Sequence, residues 1–108
     1  RIDPAVLELP SVIISDKNAA SDYVRFYPAA EGLAALDRDK VFATFWLHRN
    51  NTIEQWVHGT IKCAEVLVPD IVESRYITGA YVANETALNA FRELGINLTV
   101  EVNSGIFF

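Results

Sequence analysis

Lys62-Cys63-Ala64-Glu65-Val66-Leu67-Val68-Pro69-Asp70 is the stretch on which the reading of this chain turns. Its middle, residues 64–68, is a short apolar run with two β-branched valines, the pattern of a strand. Pro69 lacks the N–H a strand would continue with, and Asp70 favours a turn. Glu65 is the unusual residue, because an ionised carboxylate is seldom taken into an apolar element without a partner. It reads either as a strand-edge Glu whose head reaches water or as a reactive carboxylate. In a transferase that breaks a glycosidic bond, such a group steadies an oxocarbenium-like centre or takes a proton from the attacking atom.

Working upstream, Thr52 is an expected N-cap for a helix carrying Ile53, Trp56 and Val57, which Gly59 ends or bends. Asp37 is an expected N-cap for a second helix over 38–47, with Val41, Phe42, Phe45 and Trp46 as its apolar stripe. A short helix over 30–36 carries Leu33 and Leu36. Ser11-Val12-Ile13-Ile14-Ser15 reads as a buried strand, ended by the turn Asp16-Lys17-Asn18. Residues 19–27 hold Tyr23 and Phe26 at helical spacing and stop at Pro28.

Downstream, residues 71–73 suggest one turn of helix and 76–83 a strand weakened by Gly79. Asn84 is an expected N-cap for a helix over 85–94 with Ala87, Leu88 and Phe91 on its apolar face and Gly95 just past its end. Residues 98–102 read as a strand, Asn103-Ser104-Gly105 as a turn, and 106–108 as a last short strand. Strands and helices in this order predict an α+β fold, with short strands and three to four helices. Neither a repeat nor a shift in composition divides the chain, so a single domain over 1–108 is expected.

Hydrophobic residues make up 51% of the 108 and charged residues 21%, the balance of a soluble globular domain. The apolar runs fall well short of the roughly 18 residues a membrane helix needs. Arg1-Ile2-Asp3-Pro4 does not read as a signal peptide, and without an initiator Met the chain is expected to begin inside a longer protein. One cysteine, Cys63, excludes an internal disulfide, and with two histidines it is too little for a zinc site, so no metal is expected. A cytoplasmic home follows. The net charge of −5 argues against nonspecific grip on phosphates by this chain alone.

Other candidate residues are read from their surroundings. Asn18 and its neighbours follow a strand, where small and amide residues line ligand pockets, and Arg25 could pair with a phosphate. His48 and His58 lack a Ser or Cys partner at a diagnostic spacing and read as solvated helix-end residues. Trp46 and Trp56 lie on helical stripes and are expected in the core, with base stacking as the alternative. Cys63 is expected to be a small buried hydrophobe.

Four blocks, taken together, carry a resemblance. Ile14-Ser15-Asp16-Lys17-Asn18-Ala19-Ala20-Ser21 followed by Arg25-Phe26-Tyr27 is similar to the "TDGNAAS" and "RFY/RFF" segments of the DarT family. Residues 33–39 and 41–46 resemble its "L-x-x-LDW-x-x-I-x-A-x-x-W", although Arg38 stands where the family has Trp. Lys62-Cys63-Ala64-Glu65-Val66-Leu67-Val68 resembles "K-x-AE-x-LV", and Val102 with Gly105-Ile106-Phe107-Phe108 resembles the closing "V-x-V-x-x-x-WYF". The blocks agree in order and rough spacing over nearly the whole chain.

The resemblance implies the C-terminal portion of an ADP-ribosyltransferase, with a partial form of that fold. The implied activity is NAD-dependent ADP-ribosylation of a base, typically thymine, in single-stranded DNA. It implies a toxin paired with a macrodomain antitoxin, DarG. Glu65 would be the catalytic carboxylate, and Asn18 and Arg25 would lie at the NAD site. Arg49, His58 and Lys62 fall in the stretch that resembles the family's DNA-facing region. A piece lacking half of its fold would expose apolar surface and could pair with a second copy. The alternative is a catalytically inactive fragment or degenerate copy that serves as a protein-interaction module.

Overall fold

The computed structural model describes residues 1–107. Its ordered elements are strands β1 (Ile13–Ser15), β2 (Phe26–Pro28), β3 (Glu65–Leu67), β4 (Ala80–Val82) and β5 (Val100–Val102), and helices α1 (Ala29–Ala35), α2 (Arg38–Val41), α3 (Thr52–Lys62) and α4 (Glu85–Glu93). Three short 3-10 turns lie at Pro4–Glu8, Ser74–Tyr76 and Ser104–Ile106. The fold is α+β. It divides into two compact units, one of Arg1–Val6 with Val72–Phe108 and one of Leu7–Ile71.

In the second of these, β1 lies at the centre of a three-stranded antiparallel sheet in the order β2-β1-β3. Ser15 faces Phe26 on one side and Glu65 on the other. Val12 and Ile14 are buried with Ala29 and Ile61, which makes β1 the core strand its β-branched run predicts. Helix α1 lies close against β1: a Cβ built on Gly32 would stand 2.5 Å from the Cβ of Ile14, so only glycine permits this approach.

Residues 19–25 are not helical. Asn18 closes a turn by accepting the Ala20 N–H on Oδ1 and the Ser21 N–H on its carbonyl oxygen. Asp16 and Arg25 exchange bonds across the base, Asp16 N–H to Arg25 O and Arg25 N–H to Asp16 Oδ1. Such local side-chain acceptors compete with a helix and win here, so β1 and β2 form a hairpin with a long loop.

Helix α2 begins at Asp37 as expected, the carboxylate accepting the Lys40 N–H at 3.1 Å. It stops at Val41 instead of running to residue 47. Donors from α3 take the acceptors a longer helix would need: His58 Nε2 bonds Lys40 O, and Lys62 Nζ bonds Val41 O and Ala43 O. The aromatic stripe beyond α2 is left largely in solvent, with Phe45 88% exposed. Helix α3 is capped by Asn51, one residue earlier than expected, and passes straight through Gly59.

The other unit is built on a parallel pair, β4 with β5, joined by α4. Parallel strands need a crossover of this kind. Asn84 caps α4 by accepting the Ala87 N–H, Leu88 supplies its buried contact, and Gly95 ends it at φ +66°. Arg1 pairs with Glu101, and the Ile2–Ile77 bridge lies beside it. Residues 71–73 form no helical turn; the turn expected at 103–105 is a 3-10 turn over Ser104–Ile106, capped by Asn103 through Gly105 N–H, and Ile106 and Phe107 are not in a strand. Phe108 lies outside the described residues. Among the described residues no helix is long and apolar enough to cross a membrane, and no cluster of three metal-ligating side chains occurs.

Candidate functional site

Glu65 opens β3, the edge strand of the sheet, with its side chain exposed. The backbone beneath it is held by a side chain the sequence did not single out. Ser15 is fully buried at 0% exposure, and its Oγ accepts the Glu65 N–H at 3.1 Å. One hydroxyl therefore fixes the residue that carries the carboxylate while leaving the carboxylate in solvent. Among the described residues no cation pairs with Glu65.

A groove of about 460 Å³ begins two residues upstream, at Cys63. It is lined by Trp46, Trp56 and Gly59, with Asn18, Thr52, Gln55 and Thr60 supplying polar side chains. A second hollow of about 200 Å³ is lined by Asn18, Ala20, Ser21, Trp56 and Thr60. Asn18, Trp56 and Thr60 belong to both. The hairpin loop reaches the groove because Asn18 N–H bonds Thr60 O of α3 at 2.8 Å. Both tryptophans thus leave the core they were expected in: Trp56 is 56% exposed, and Trp46 lies with its ring 3.4 Å from where a Cβ on Gly59 would be. Cys63 is exposed, not buried.

His58 and Lys62 occupy positions different from those expected of DNA contacts. His58 is buried, at 7% exposure, and both ring nitrogens are engaged: Nε2 with Lys40 O at 3.1 Å and Nδ1 with His48 Nε2 at 3.0 Å. Its buried ring offers no unengaged nitrogen to a phosphate. Lys62 Nζ donates to Ala43 O at 2.7 Å and Val41 O at 3.4 Å. These two side chains of α3 fasten α2 and the segment after it, which leads to Trp46. Nor is His48 a solvated helix-end residue; it is half-buried, with Nδ1 3.7 Å from Glu54 Oε2.

Arg49 is exposed on the loop before α3. Arg25 is exposed too, its backbone N–H held by Asp16 Oδ1. The structure brings Asn18 to the groove, with Cys63 two positions from Glu65, and gives Arg25 a separate position at the base of the hairpin loop. The Asp37 carboxyl is lowered from its ordinary value, chiefly by the backbone N–H of Lys40.

A family model described as "ssDNA thymidine ADP-ribosyltransferase, DarT" matches residues 1–108. Two solved structures are similar. One is "Thermosipho africanus DarTG in complex with ADP-ribose", at 24% identity and TM-score 0.68, matched over 99% of this chain and 28% of that one. The other is "Thermus sp. 2.9 DarT in complex with NAD+", at 18% identity and TM-score 0.67, matched over 90% of this chain and 49% of that one. At these identities the likeness is one of fold, and the chain spans less than half the length of either. A search of the curated proteins finds no match. The match over its whole length places this chain in the DarT family.

Proposed function

We propose that the protein carrying this chain transfers ADP-ribose from NAD to a thymine of single-stranded DNA, with Glu65 as the catalytic carboxylate. The observation that carries the reading is the exposed Glu65, anchored through its backbone by Ser15 and two residues along the chain from Cys63, which lines a groove with Trp46 and Trp56. An unpaired base has a flat π-face for Trp46 or Trp56 and an edge for the amide of Gln55. That amide can donate from its NH₂ to O4 of thymine, which leaves the N3–H for Glu65.

In thymidine N1 carries the sugar, so N3 holds the one ring proton available for exchange. Glu65 takes that proton as N3 bonds to C1″ of the ribose. The C1″–nitrogen bond to nicotinamide breaks, and nicotinamide leaves neutral with the electron pair. The proton on Glu65 then passes to water. A carboxylate at this position also steadies the positive charge that builds at C1″. Arg25 and Asn18 would serve NAD, the guanidinium on the pyrophosphate and the amide on a carbonyl or hydroxyl.

The reading extends to a cytoplasmic toxin countered by a macrodomain that removes the mark, as the DarTG name of one similar structure suggests. The test is a mass gain of one ADP-ribosyl group on oligonucleotides incubated with the protein and NAD. Thymine-containing single strands should gain it. Thymine-free and fully duplex strands should not, and modification of those instead would overturn the proposal.

A second reading is favoured by one observation. Phe42, Phe45 and Leu47 in the segment after α2, and Ile53 in α3, are all exposed, apolar surface suited to a protein partner or a second copy. In that reading, folded protein would modify no strand, and light scattering would show a stable complex that Phe45→Ser disperses.

A further inference from the structure

The two indoles that line the groove are held in different ways. Trp56 belongs to α3 and is placed by that helix. Trp46 belongs to the segment between α2 and α3, where residues 44–47 lie in neither helix nor strand. Among the described residues, no backbone N–H of 44–47 donates to a backbone carbonyl. Phe45 and Leu47, on either side of Trp46, are 88% and 64% exposed, so neither buries enough surface to hold the segment. The place of Trp46 then depends on how the two ends of the segment are fixed.

Both ends are fixed from α3. At the far end His48 Nε2 stands 3.0 Å from His58 Nδ1. At the near end Lys62 Nζ donates to Ala43 O at 2.7 Å and to Val41 O at 3.4 Å. These carbonyls lie at the last residue of α2 and two residues past it, where a helix leaves acceptors unpaired and a cation is favoured. Lys62 is half-buried, so its bond to Ala43 is a charge-assisted one partly shielded from water. His58 and Lys62 are four residues apart, on one face of the helix. Gly59 lies between them, and a Cβ built there would stand 3.4 Å from Cζ3 of Trp46.

Resting on the proposed function, we infer that Lys62 is a positioning residue for the reaction. Through the Ala43 carbonyl it sets the place of the Trp46 indole, against which the target base stacks. The competing role is a direct contact of its ammonium with a DNA phosphate, and the two roles differ in consequence. A phosphate contact acts whether or not Trp46 is present and adds to the salt dependence of binding. Positioning acts only through Trp46 and leaves the salt dependence alone.

The experiment uses the protein with NAD and thymine-containing single strands. Lys62→Met keeps the stem and removes the donors. It should raise KM for the strand about tenfold, the scale of a lost charge-assisted bond, and leave kcat at saturating strand nearly unchanged. Lys62→Arg, which can still donate to both carbonyls, should recover most of the loss. Lys62→Gln should fall between, and serves if the methionine variant does not fold. In a Trp46→Ala background Lys62→Met should raise KM no further. A rise that persists in full in that background, with the salt slope of binding reduced by about one, makes Lys62 a phosphate contact and overturns the inference while the proposed function stands. Acrylamide quenching of Trp46, isolated by difference from Trp46→Phe, reads the protein without DNA. Lys62→Met should expose the indole to the quencher and Lys62→Arg should not. If no strand is modified, the proposed function falls and this quenching alone decides the inference; quenching unchanged in Lys62→Met rejects it.

Discussion

His48 Nε2 stands 3.0 Å from His58 Nδ1, and the Lys40 carbonyl behind His58 fixes the direction of the bond between them. A carbonyl oxygen can only accept, so His58 carries its proton on Nε2 and, when neutral, accepts on Nδ1. His48 must then donate from Nε2, which leaves its Nδ1 lone pair toward Glu54.

Replacing His58 by Phe keeps the ring and removes both bonds. The Lys40 carbonyl and the His48 N–H lose their partner, at a cost of about 1–3 kcal/mol. Since Trp46 sits on the segment these bonds fasten, its fluorescence should shift to that of a more solvated indole before global unfolding. An unchanged spectrum and an unchanged urea midpoint would show that the pair holds nothing.

Ser15→Ala should lower kcat of ADP-ribosylation more than it raises KM for DNA, because Ser15 holds the Glu65 backbone and touches no ligand. It also leaves the Glu65 N–H without its side-chain acceptor, which costs about 1–3 kcal/mol where water cannot replace it. Ser15→Thr, which keeps the hydroxyl, should recover part of the rate if the extra methyl is accommodated.

Gly32→Ala places a methyl 2.5 Å from Ile14 Cβ and must push α1 off the sheet. Overpacking of this kind costs about 1–3 kcal/mol, in spite of the better helix propensity of alanine. Chemical denaturation should register the loss, and Ile14→Val should recover little of it, since the clash is with Cβ.

Asp37 gives the acid limb. Its carboxyl is held below the usual 3.8 by the Lys40 N–H, so the charged form is favoured in the folded chain. Its contribution to stability is complete above 3.8 and disappears as pH falls through the lower folded value. Asp37→Asn, an equally good cap that does not titrate, should match wild type near neutral pH and lose less stability on acidification. Identical acid limbs in the two proteins would contradict this.

The parts of the fold legible in the sequence are those settled locally. Asn84 and Gly95 mark α4 because a cap and a left-handed glycine act within a few residues, and 64–68 declares β3 by its apolar run and Pro69. The apolar stripe over 41–46 misled, since nothing local reveals that His58 and Lys62 will take the carbonyls of α2. Tyr23 and Phe26 misled for a similar reason: Asp16 closes the loop on Arg25, far along the chain. The groove itself needed the fold, because Asn18, Trp46 and Trp56 come from three separate segments. Ser15 was visible only as a polar residue ending a buried strand, and its role depends on the register with Glu65.

The most direct test of the central claim is Glu65→Gln, assayed with NAD and thymine-containing single strands against wild type. Gln keeps the size and the exposed position and cannot take the N3 proton. The account predicts folded protein that still binds the oligonucleotide and modifies it at least about a hundredfold more slowly, the scale of a lost general base. A variant that transfers ADP-ribose at the wild-type rate would show that Glu65 is not the catalytic carboxylate.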